Sequence, residues 1–182
     1  MAWISGNYYL SLAQMQNNAD EIVYYFRSQD WTDEAIAAML GNMQSESTIN
    51  PGIWENLEPF VGGYGLVQWT PYTNYTDWAG DNWEKPDYEL YRIEYERANG
   101  LQWIATTTYP MSFNDFVVST ATPETLAQVW LYNYERPADL NQPQRSTQAR
   151  YWYNYMGGQP QPGDVPIWLL FKFNDWRRWL GK

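Results

Sequence analysis

The chain has 182 residues, 45% of them apolar and 18% charged, with a formal net charge of −10 and neither cysteine nor histidine. That length and apolar share suit one folded domain with a short tail and exclude wholesale disorder. The acidic balance excludes bulk binding to nucleic-acid phosphates, and the missing residue types exclude disulfides, His/Cys zinc sites and Ser-His-Asp or Cys-His catalysis.

The N-terminal Met1 to Leu12 lacks a basic leader and a long apolar run, so no signal peptide is expected, and no stretch reaches the roughly 18–20 apolar residues of a membrane span. Asn17 or Asn18 can cap a first helix whose apolar face is Ala19, Ile22, Val23 and Phe26. Thr32 caps a second, with Asp33 and Glu34 in its first turn and a stripe of Ile36, Met39, Leu40 and Met43. Asn50-Pro51-Gly52 stops it. Residues 62–70 are glycine-rich and then carry Val67 and Trp69, a strand-and-turn pattern. Shorter helices follow over 73–81 and 87–98, the latter opened by Pro86 and closed near Asn99-Gly100. Ser112 caps a short helix to Val118. Thr122-Pro123-Glu124 opens another that Pro137 closes, and Pro143 opens a last one to about Met156.

The division expected is a domain over 1–158, a Pro/Gln/Gly linker over 159–166, and a segment of different character over 167–182. That last segment holds Trp168, Trp176 and Trp179 beside Lys172, Arg177, Arg178 and Lys182. It can pack on its own domain, dock a partner or lie on an anionic membrane surface.

Glu46 stands out among the carboxylates. In helical projection it lies within about 20° of Met39, so it continues the apolar stripe at the C-terminal end of the helix. Burial and the negative end of the helix dipole both disfavour a carboxylate there, which suits a general acid. Downstream, Gly63 and Gly65 permit close approach to backbone, and Gln68 offers an amide to a sugar N-acetyl or hydroxyl group. Aromatic residues make up 19% of the chain. They fit either a heavily aromatic core or carbohydrate binding, in which flat rings meet sugar CH faces. Trp54, Tyr64, Trp69, Tyr72 and Tyr75 surround the motif as candidate platforms.

Glu46-Ser47 followed by Gly65-Leu66-Val67-Gln68 and Pro71 resembles the Glu-Ser … Gly-Leu-Met-Gln … Pro pattern of goose-type lysozymes and lytic transglycosylases. The longer run from Met39 to Ile53, with Gly63 to Pro71 and Tyr134-Glu135-Arg136-Pro137, resembles the phage tail lysozyme family over about residues 17–156. The resemblance implies an α+β, mainly helical, lysozyme-like fold with a small β-hairpin lining the cleft. It implies peptidoglycan glycan strands as substrate, Glu46 as catalytic acid, no cofactor or metal, and a place in the virion tail acting on the host wall. Ser47, Gly63, Tyr64, Gly65, Gln68, Trp69, Tyr72 and Glu135 are then the candidate glycan contacts, Glu135 having a structural role as its alternative. Tail proteins of this kind often carry a second, zinc-dependent peptidase domain, for which this chain has neither the length nor the ligands. Residues 167–182 are a candidate attachment to other tail proteins.

A hydrolase needs a second carboxylate, about 5–5.5 Å away if retaining and about 6.5–9.5 Å away if inverting. Glu55, Glu58, Asp77 and Asp81 are available and Glu58 is favoured. A lytic transglycosylase needs none, because the substrate's own 6-hydroxyl attacks. The expectation leans to the hydrolase, with the transglycosylase or a non-catalytic glycan-binding tail protein as the alternatives.

Overall fold

The computed structural model describes residues 2–157; the expected linker and the segment 167–182 lie outside the described residues. Seven α-helices occur among the described residues: α1 Leu12–Ser28, α2 Asp33–Ser47, α3 Thr73–Ala79, α4 Pro86–Asn99, α5 Phe113–Val117, α6 Pro123–Trp130 and α7 Gln144–Tyr155. The architecture agrees with the mainly helical, lysozyme-like class.

Helix α2 is the axis of the fold. It packs along its length on α7 and on α6, with α1 and α5 on its remaining sides. Every residue from Ala35 to Ser45 is buried, the polar Asn42, Gln44 and Ser45 among them, so burial runs all round the helix rather than along one stripe. The Thr32 side chain accepts the Ala35 N–H at 3.3 Å, satisfying one of the amides that a helix start leaves open. At the other end Thr48 turns into the left-handed region, φ 55°, and ends the helix just past Glu46.

The contact between α2 and α7 depends on Gly41. A Cβ there would lie 2.6 Å from the Ala149 amide nitrogen and 2.7 Å from the Arg145 carbonyl oxygen. The two backbones are thus as close as a bare glycine permits. Polar side chains then cross the seam: Ser45 Oγ donates to Gln148 Oε1 at 2.7 Å, and Trp152 Nε1 donates to Gln44 Oε1 at 2.9 Å.

Two expectations are corrected. Helix α1 starts at Leu12, not at Asn17 or Asn18, because Ser11 is its cap, with Ser11 N–H donating to Gln14 Oε1 at 2.9 Å. Asn18 is buried in mid-helix and bonds outward instead, to the Ile4 and Ile49 carbonyls. The hairpin expected over 62–70 is also not formed. Two isolated antiparallel bridges, Trp54 to Tyr64 and Tyr64 to Trp69, are all the pairing present there. Positive φ at Gly62 (77°), Gly65 (80°) and Gln68 (52°) turns the chain repeatedly, which a strand ladder cannot accommodate.

Most of the aromatic surplus is core. Trp31, Phe113, Phe116, Trp130 and Tyr134 pack together around α6, Trp130 and Tyr134 stacking at 4.2 Å. Trp54, Tyr64, Trp69 and Tyr75 form a second buried cluster under the glycine-rich turn.

Gly41→Ala is expected to force α2 and α7 apart and to destabilise the fold by about 3 kcal/mol, because backbone rather than a flexible side chain meets the new methyl. Thermal or urea unfolding of the variant measures this.

Candidate active site

Glu46 ends α2 at the edge of a cleft of about 820 Å³, within the usual range for ligand pockets. Tyr9, Glu55, Asn56 and Leu57 line one part of it, Val67 to Thr70 another, and Tyr134 to Pro137, Gln142 and Arg145 a third. Five charged side chains and several amides border the space. Such a lining suits a ligand dense in hydroxyl and amide groups more than an apolar one.

The Arg145 side chain is 3% exposed, and its guanidinium is held by three neighbouring residues. Nε donates to Gln142 Oε1 at 2.7 Å, one terminal nitrogen reaches Asn42 Oδ1 at 3.0 Å and its carbonyl oxygen at 3.4 Å, and the other donates to Glu46 Oε1. Asn42 is itself fixed, its amide nitrogen donating to the Ala38 and Ala127 carbonyls at 2.9 and 3.1 Å. The Glu46 carboxylate is therefore held through Arg145 by three helices.

Glu135 lines the same cleft. After α6 the chain widens into a five-residue π-helical turn, Leu131–Glu135, closed by Arg136 N–H donating to the Leu131 carbonyl at 2.8 Å. The turn directs Glu135 toward the cleft, and Trp130 Nε1 donates to its Oε1 at 2.8 Å. Such turns recur at functional sites. Burial, then the negative charge of Glu46, push the Glu135 carboxyl up to about 8, while Arg145 and the Trp130 bond oppose the shift. Two carboxyls and one guanidinium thus share a mostly buried space, and one proton on the carboxyls neutralises the group.

The floor is the glycine-rich turn, and its motif residues hold one another. Ser47 is fully buried, and its Oγ donates to the Leu66 carbonyl at 2.9 Å, tying the end of α2 to the turn. A Cβ on Gly63 would meet Thr70 Oγ1 at 2.8 Å. The close approach at Gly65 is to a side chain of α4: a Cβ would lie 2.5 Å from Glu89 Oε2, which accepts the Leu66 N–H at 2.6 Å. Burial drives the Glu89 carboxyl well above the ordinary range. Gln68 spends its amide nitrogen on the Gly65 and Ile53 carbonyls, at 2.9 and 3.2 Å, while its buried Oε1 has no partner among the described residues.

Among the five candidate platforms only Trp69 borders the cleft; Trp54, Tyr64 and Tyr75 are core, and Tyr72 packs at 5.2 Å on Trp54. Glu58, Asp77 and Asp81 are exposed and are not among the cleft-lining residues. Glu55 does line the cleft, with Oε2 accepting the Gly63 N–H at 2.9 Å. Sequence reasoning missed Arg145, Glu89 and Glu96. Glu89 and Glu96 sit with Leu90 and Ile93 on the buried face of α4, and acids on such a face were the available signal. Glu96 accepts from Trp69 Nε1 at 2.9 Å, from Arg92 Nε at 2.8 Å and from the Tyr134 hydroxyl, joining floor to wall. Among the described residues no group of acidic side chains is arranged to hold a metal ion.

The model of the phage tail lysozyme family matches residues 17–156, a stretch that holds Glu46, Glu135 and Arg145. The chain belongs to that family. It is also 48% identical over 164 residues to morphogenesis protein 1 of Bacillus phage B103, an alignment covering 87% of this chain and 44% of that protein. The chain thus spans less than half the length of this relative. It is a lysozyme-like, phage-associated protein, and among its described residues no helix is long and apolar enough to cross a membrane.

The raised Glu135 carboxyl has a stability consequence. Between its ordinary value of 4.5 and about 8 the folded chain keeps a proton that the unfolded chain releases. Its contribution is therefore complete below about pH 4.5 and is lost as pH rises through about 8. Melting temperature should fall across that window, and Glu135→Gln should flatten part of the fall; an unchanged slope in the variant would contradict the assignment.

Proposed function

We propose that this tail lysozyme is a peptidoglycan hydrolase that cuts the β-1,4 bond between N-acetylmuramic acid and N-acetylglucosamine. The observation that carries the reading is the meeting of Glu46 and Glu135 in one cleft around the buried Arg145.

The proposed chemistry uses the proton that the Glu135 carboxyl holds below about pH 8. In the reactive arrangement that proton is on Glu46, which donates it to the departing glycosidic oxygen as the C1–O bond breaks and positive charge grows on the muramic ring. Glu135 is then the carboxylate and takes a proton from the water that adds to C1. Its raised proton affinity makes it a stronger base than an ordinary carboxylate. The pair ends with one proton, as it began. Arg145 offsets the charge of whichever carboxyl is ionised.

Glu135 takes the place that Glu58 was expected to hold. Its presence favours hydrolysis over lytic transglycosylation, which requires no second carboxyl.

Action from the virion tail has two supports. The family is that of tail lysozymes, and a relative carries the name morphogenesis protein. In addition, a charge of −10 repels an anionic wall over about 8–10 Å at physiological salt, a handicap that delivery on a particle removes.

Mass spectrometry of products from purified peptidoglycan tests the reading. Saturated N-acetylmuramic acid reducing ends are expected. Ends lighter by one water, the 1,6-anhydro form, would replace the hydrolase with a transglycosylase. Glu46→Gln should lower the rate by about 10²–10⁴ with the fold intact, and retained activity would refute the acid. Glu135→Gln should lower it by about 10² or more.

A further inference from the structure

Residues 2–11 precede the stretch matched by the family, and the mechanism above makes no use of them. They form an irregular arm ahead of α1, yet the arm is fastened along its length. Asn18 accepts the Ile4 N–H at 2.8 Å and donates to the Ile4 carbonyl at 2.7 Å. Asn50 donates to the Gly6 and Tyr8 carbonyls at 2.7 and 2.6 Å and accepts the Gly6 N–H at 3.3 Å. Asn7 accepts the Trp54 N–H at 3.0 Å and donates to the Leu57 carbonyl at 2.9 Å. Thr48 Oγ1 accepts the Leu10 N–H at 2.9 Å. Gly52 makes the approach possible, since a Cβ there would lie 2.3 Å from Ser5 Oγ and 2.7 Å from the Gly6 nitrogen.

Apart from Asn18, every one of these clamps belongs to residues 48–57, the segment that leaves Glu46. Ordering such an arm costs backbone entropy, so a set of specific bonds must offset it. Were the arm only a strap, its apolar side chains would face inward, as Leu10 does at 5% exposure. Tyr9 instead is 50% exposed and borders the cleft, beside Leu57, which also lines it and is 40% exposed. Two exposed apolar surfaces are thus presented, on a fixed backbone, to a cleft that also holds charged and amide groups. An aromatic ring held in this way at a polar cleft fits the CH face of a pyranose, with polar neighbours for its hydroxyls.

We infer that the arm of residues 2–11 completes the binding cleft and that Tyr9 is a sugar platform on the wall formed by Glu55 to Leu57. The inference rests on the proposed glycan substrate. Tyr9 then contributes to holding the strand and leaves the protonation step to the carboxyls.

The test uses the full chain and soluble peptidoglycan glycan oligosaccharides of increasing length. Tyr9→Ala should raise KM about ten-fold on the longer oligosaccharides with kcat changed less than about two-fold, while Tyr9→Phe stays near the parent. Tyr24→Ala, altering an α1 side chain that is 79% exposed and outside the cleft lining, should change neither. Binding is read separately by tryptophan fluorescence in the Glu46→Gln chain, where adding Tyr9→Ala should weaken affinity about ten-fold. Unchanged KM and affinity in Tyr9→Ala would overturn the platform while leaving the glycosidase reading intact. Binding that depends on Tyr9 without cleavage by the parent would overturn the glycosidase and keep the platform. Neither binding nor cleavage would overturn both.

Discussion

The buried guanidinium of Arg145 is the constraint on which the rest depends. A charge 97% out of water is tolerable only when its donors are used, and the chain spends Gln142, Asn42 and Glu46 on it. Those partners lie on α2 and on the approach to α7, so the two helices must approach within glycine distance, which Gly41 provides. Buried ion pairs are often no more stabilising than apolar residues of the same size. The arrangement is better understood through what it does to the cleft. It fixes the orientation of Glu46, and it allows a second carboxyl, Glu135, to stand in the same low-dielectric space.

The acidic composition gains a structural meaning from the indoles. Trp3 donates to Asp87, Trp31 to Glu94, Trp69 to Glu96 and Trp130 to Glu135, at 2.6–2.9 Å. Tryptophan supplies large apolar area but brings one N–H that burial must satisfy. Here carboxyl groups satisfy it repeatedly, and at Trp31, Trp69 and Trp130 they fasten buried aromatic core to α4 and to the turn after α6. The cleft floor is built the same way, with Glu89 under the Gly65-Leu66 turn and Glu96 joining Trp69 to Tyr134. Several of the acids that set the net charge are therefore internal fastenings rather than a solvated surface.

Helix existence was legible because capping and stripe agree: Thr32 with Ile36, Met39 and Leu40, or Pro86 at the first position of α4. The start of α1 was misread because Asn18 has a cap's chemistry and a different employment, holding the arm from within the helix. The hairpin was misread because Val67 and Trp69 suggest a strand, whereas the left-handed conformation at Gln68 shows only in the backbone. Glu46 was legible from its place at the end of a buried stripe. Glu135 was expected at the cleft only through the family resemblance, and Arg145 not at all, since each is about ninety or more residues from Glu46 in sequence. Their proximity follows from helix packing and from a π-helical turn that has no local sequence mark. The same limit hid Tyr9, whose importance lies in where Asn50 and Asn7 hold the arm.

The central claim is that Glu46 and Glu135 form one proton-holding pair around Arg145. Carbon-13 NMR of glutamate side-chain carboxyls across a pH titration tests it most directly. The account predicts a carboxyl resonance titrating near pH 8 that disappears in Glu135→Gln and moves to lower pH in Glu46→Gln, where the neighbouring negative charge is gone. A Glu135 resonance titrating in the ordinary carboxylate range, or one indifferent to Glu46→Gln, would contradict it.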